Sequence, residues 1–79
     1  MVAKIPTFES NGSLTVEVKL DNASNVILVN KINYRKYLKG QRFSYYGGYF
    51  DRNPAVITIN ESGIFYLIVD SSSYSFRYF

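Results

Sequence analysis

The chain has no cysteine and no histidine in its 79 residues. Without cysteine, neither a disulfide framework nor a thiolate metal site can staple so short a chain. Without either residue, the usual nucleophile–base pairs and the common transition-metal ligands are missing. Acids are few and scattered: Glu9, Glu17, Asp21, Asp51, Glu61 and Asp70. No two of them are spaced for paired acid–base work, so neither catalysis nor a cofactor is expected. Long apolar runs are lacking as well. The longest, Val26–Val29 and Ile64–Val69, fall far short of the ~20 residues a spanning helix needs. Met1–Pro6 has no apolar core of a secretory signal. The expectation is a cytoplasmic protein without a membrane segment.

What is present is aromatic and, in one place, basic. A single domain over residues 1–79 is expected, near the lower end of what folds unaided. Its hydrophobic fraction is 47% and its aromatic fraction 18%. Large rings remove much area from water, so these are read first as core material for a small fold. Between Lys31 and Arg52, six bases and seven aromatics face the single acid Asp51. The bases are Lys31, Arg35, Lys36, Lys39, Arg42 and Arg52; the rings are Tyr34, Tyr37, Phe43, Tyr45, Tyr46, Tyr49 and Phe50. That segment carries a formal +5 and the remainder −2.

Hydrophobic periodicity predicts strands. Ser13–Leu20 alternates strictly, with Leu14, Val16, Val18 and Leu20 on one face. Asn25–Asn30 is apolar on both faces and reads as a central strand, joined to the first as a hairpin through Asp21–Ser24. Lys31–Gly40 has helical spacing at Tyr34, Tyr37 and Leu38, with Gly40 as terminator, and fits a short helix or a helical turn near residues 33–39. Gln41–Tyr46 reads as a strand broken by Gly47-Gly48. Ala55–Asn60 and Ile64–Val69 flank Glu61-Ser62-Gly63 as a second hairpin. Asp70–Ser73 is a loop, and Tyr74–Phe79 alternates again. The fold class is all-β, a small antiparallel sandwich of about six to seven short strands.

Taken in order, Asn25–Val29, Tyr34–Gly40, Arg42–Gly48, Pro54–Ile57 and Ser62–Asp70 resemble the small bacterial domain-of-unknown-function 1883 family. Its members carry a Tyr-Tyr-Gly-Gly element and a Ser-Gly-x-Trp/Phe-Tyr strand ending in Val-Asp. Here Asn53-Pro54 stands for the usual Ser-Pro, and Phe65 for a frequent Trp. The resemblance spans about Leu14 to Asp70 and implies a jelly-roll-like all-β barrel or sandwich. Some members are joined to Toll/interleukin-receptor (TIR) domains, which implies a sensing or adaptor role in bacterial or phage defence.

Candidate ligand-binding residues are Lys39, Arg42, Tyr45, Tyr46, Gly47 and Gly48. Glycines let a backbone approach an anion, and a tyrosine ring can stack on a base. The plainer readings are a glycine bend in a strand and a solvated helix face for Lys36 and Lys39. Three functions from different classes fit. The first is a non-catalytic binding or adaptor module for a nucleotide-like anion or a protein partner. The second is a single-stranded nucleic-acid-binding β-barrel. The third is a structural subunit that self-associates through edge strands, where Tyr74, Phe76 and Tyr78 read as core or sheet-edge cover.

Overall fold

The computed structural model describes residues 5–71 and 73–79. Residues 1–4 and Ser72, the latter in the predicted Asp70–Ser73 loop, lie outside the described residues. The elements run β1 (Thr7–Asn11), β2 (Leu14–Leu20), β3 (Ser24–Asn30), α1 (Lys31–Leu38), β4 (Tyr46–Phe50), β5 (Ala55–Ile59), β6 (Ser62–Val69) and β7 (Tyr74–Tyr78). They form a four-stranded antiparallel sheet, β1-β6-β3-β4, and a three-stranded one, β5-β2-β7. The chain passes repeatedly from one sheet to the other, as in a jelly roll, so the all-β sandwich expected from the sequence is what forms.

Alternation builds the core. Leu14, Val16, Val18 and Leu20 all face inward from β2, and Ala55, Ile57 and Ile59 do so from β5. Val26 and Leu28 on β3 and Phe65 and Leu67 on β6 meet them from the facing sheet. β3 lies between β6 and β4, the central place its two apolar faces predicted. Val29 is buried but lies outside this cluster. It points to the outer face, where α1 packs against β3 and β6.

Three sequence expectations are corrected. Leu14–Leu20 and Asn25–Asn30 are strands but not a hairpin: β2 pairs with β5 and β7, β3 with β4 and β6. One reason lies in Asn53, whose Oδ1 accepts the Leu20 N–H (3.1 Å) while its Nδ2 donates to the Leu20 carbonyl (2.9 Å). A side chain thus takes the place of a strand at the end of β2, and the chain is free to cross over. Ala55–Asn60 and Ile64–Val69 likewise separate into opposite sheets, with the Glu61 carbonyl held by the Ser10 hydroxyl at 2.6 Å. Gln41–Tyr46 is not the strand. It begins at Tyr46, and Gly47 and Gly48 lie inside it, paired with Ile27 and Val26. β1 was not foreseen, although its Phe8 is 4% exposed and belongs to the core.

Candidate binding surface

The basic-aromatic segment folds as α1, a loop and β4. Asn30 caps the helix, its Oδ1 accepting from the Asn33 N–H and from Asn33 Nδ2, both at 2.9 Å. At the other end Gln41 N–H donates to the Lys36 carbonyl (2.9 Å) and Gly40 N–H to the Tyr37 carbonyl (3.1 Å). With Gly40 at φ +70° this is the paired closure that glycine permits after a helix. Replacing Asn30 with alanine should cost about 1–2 kcal/mol, because two donors lose their acceptor. Hydrogen exchange should show the loss concentrated in α1; uniform loss across both sheets would contradict a capping role.

No residue of α1 is fully buried, so rings hold it to the sheet. Tyr34 stacks on Tyr66 of β6 at 4.2 Å and 9°, with Tyr37 beyond it at 6.3 Å. Phe43 meets the Tyr37 ring edge-on at 5.5 Å, and Tyr45 follows at 5.8 Å. Five rings therefore run in series from the sheet across the helix to the loop. Their packing on one another uses ring faces that would otherwise be available to a ligand.

The loop is pinned as well, since Asn33 Oδ1 accepts the Ser44 N–H at 2.9 Å. Beside that bond lies a cleft of about 320 Å³ bordered by Asn30, Asn33, Ser44, Tyr45, Tyr46 and Glu61. The Tyr46 hydroxyl donates to a Glu61 carboxylate oxygen. That hydrogen bond, then desolvation and the carboxylate's charge, raises the Tyr46 phenol above its usual pKa. A wider depression of about 520 Å³ lies at the β4–β5 junction and includes Tyr49, Asp51 and Arg52. Each concavity therefore contains a carboxylate.

Of the candidate residues, Tyr45 and Tyr46 line the Glu61 cleft, but Lys39 and Arg42 do not. Both bases are exposed, Lys39 at the end of α1 and Arg42 in the loop that follows. Gly47 serves the fold: a Cβ there would stand 2.3 Å from the Val26 carbonyl oxygen. Gly48 has open space around it and pairs with Val26. Among the described residues the one ion pair is Arg77–Glu17 at 2.8 Å. None of the segment's six bases meets a carboxylate within salt-bridge distance there. Arg35, Lys36 and Lys39, near the C-terminal end of α1, complement the helix dipole, which accounts for part of this charge. The residues that sequence reasoning missed are Asn30, Asn33, Ser44, Glu61 and Tyr66. A polar residue just before a helical pattern is a cap signal and marks Asn30; Asn33 and Ser44 meet through a helix–loop bond, and Glu61 and Tyr66 reach the site only through pairing of distant strands.

Residues 8–76 match the family described as Domain of unknown function (DUF1883). The chain belongs to this family. Comparison with curated proteins and with solved structures finds no match. The matched span takes in all of the DUF1883 elements described above from Phe8 of β1 to Phe76 of β7, including the whole basic-aromatic segment.

Proposed function

We propose that the chain is a non-catalytic binding or adaptor module that docks an acidic protein surface on the ridge formed by α1 and the loop to β4. The observation that carries this reading is the placement of charge. Lys31, Arg35, Lys36, Lys39 and Arg42 stand exposed on α1 and the loop after it, without carboxylate partners among the described residues, whereas the concavities lined by Tyr46, Tyr49 and Tyr37 each hold an acid. An enclosed nucleotide would meet Glu61, Asp51 or Asp70; a flat acidic partner would meet bases first. Unbalanced positive charge repels itself and is relieved by such a partner. The TIR domains joined to some family members supply a defence-related context for an adaptor.

Single-stranded nucleic acid is the second reading, favoured by one observation: Tyr45, in the loop after α1, is 52% exposed, and Tyr49, in the same depression as Arg52, is 67% exposed. The test is fluorescence anisotropy with a labelled acidic peptide and a labelled oligonucleotide, alongside thermal shift against nucleotides and cyclic dinucleotides. Peptide binding without a nucleotide shift supports the adaptor reading. Tighter binding of the oligonucleotide, with steep salt dependence, replaces it with the second. Arg42→Ala should weaken binding by about 1.5–3 kcal/mol, the worth of a charge-assisted hydrogen bond, and leave the melting temperature nearly unchanged. A destabilised variant with unaltered binding would end the case for this surface.

A further inference from the structure

The two sheets leave four open strand edges, at β1, β4, β5 and β7. Three carry features that discourage a further strand. β4 contains Gly47 and Gly48 at φ +108° and +151°, β5 is entered through Pro54, and β1 carries the exposed Glu9 at its middle. β7 has no such feature. Its one charge, Arg77, is paired with Glu17 on the neighbouring strand.

The backbone of β7 is also oriented for pairing. Thr15 and Phe79 exchange both main-chain bonds, at 3.2 and 2.9 Å. Because bonded pairs alternate along an antiparallel ladder, Arg77 and Ser75 turn their backbone groups to β2. Tyr74, Phe76 and Tyr78 then turn theirs to the open edge. The side chains of these three lie opposite Leu20, Val18 and Val16 on the sandwich side, yet Phe76 remains 41% and Tyr78 58% exposed. The strand reads Tyr-Ser-Phe-Arg-Tyr, alike in both directions at its first, third and fifth positions.

We propose that β7 pairs with β7 of a second copy of this chain, antiparallel and centred on Phe76. In that register Phe76 meets Phe76 and Tyr74 meets Tyr78, and each pair exchanges both outward backbone bonds. Ser75 faces Arg77 of the other copy, so no two like charges stand opposite each other. The two three-stranded sheets become one of six strands. The proposal is independent of the basic ridge, which lies on the other sheet's outer face.

Light scattering over a micromolar-to-millimolar series tests it, with two substitutions at the exposed Ser75. Ser75→Lys places a cation opposite Arg77 twice per dimer and should raise Kd, by up to about thirtyfold. Ser75→Glu places an acid there and should lower it by a comparable factor. Melting temperatures at the lowest concentration, where the chain is monomeric, confirm that both variants fold. A dimer mass with opposite responses to the two substitutions is the expected result. Monomer mass throughout the series overturns the dimer. Equal responses, or none, overturn this register.

Discussion

Gly47→Val should destabilise the fold by about 3–5 kcal/mol, through two costs that act at one position. A β-branched residue at φ +108° carries strain of about 1–3 kcal/mol. Its Cβ would also lie 2.3 Å from the Val26 carbonyl oxygen and 2.9 Å from Ile57 Cδ1. The first contact is with backbone, which cannot rotate away, so β4 must lift from β3 or the Ile57 layer must open. Against a total of about 5–15 kcal/mol for a small domain, this takes a large share. At about 4–8 °C per kcal/mol for a chain of this size, the melting temperature should fall by at least about 12 °C. Gly48→Ala is the control. Its φ is +151° with nothing within 4 Å of the added atom, so only strain of about 1 kcal/mol applies. Equal losses for the two variants would show that backbone strain alone, and not the approach to Val26, explains the glycine pair.

That contact also explains why this stretch was misjudged in sequence. Two adjacent glycines signal a break, yet here they sit mid-strand because only a residue without Cβ lets β4 come so close to Val26. What local pattern can express was legible: the strict alternation of Leu14–Leu20, the central place of Val26–Val29, and a helix ending at Gly40. Strand partnership was not. Asp21–Ser24 and Glu61–Gly63 read in sequence as polar turns whether the chain doubles back in one sheet or crosses to the facing one. The deciding contacts are remote, such as Thr7 with Tyr66 and Leu14 with Ile59. β1 escaped notice because Phe8 is the only large apolar residue in Thr7–Asn11. The candidate site was legible as a segment and not as a geometry. Tyr34 and Tyr37 have visible helical spacing, but the Tyr66 ring that receives Tyr34 comes from a strand 32 positions away in sequence, and the acid that reaches Tyr46 comes from a turn between sheets.

Phe65→Ala carries the other large expected effect, about 3–5 kcal/mol. The ring is 1% exposed, on the strand that joins β1 to β3, opposite Phe8 and Asn30 in register. Truncation removes the ring's transfer energy and leaves a void that strands paired on both sides of β6 cannot close by collapsing. Phe65→Leu keeps most of the volume and should lose only about 1–2 kcal/mol. The Tyr46 ring lies 6.4 Å from that of Phe65, tilted by 61°, so the core change should reach the surface cleft. Denaturant titration gives the stabilities, and an unchanged m-value shows that both variants unfold from the same compact state. A loss below about 1 kcal/mol for Phe65→Ala would mean that β6 shifts to refill the space. That shift would move Glu61, one residue before β6, away from the Tyr46 hydroxyl, and the raised tyrosine pKa would fall back toward its ordinary value. A stable Phe65→Ala variant that still holds Tyr46 against Glu61 is the result this packing forbids.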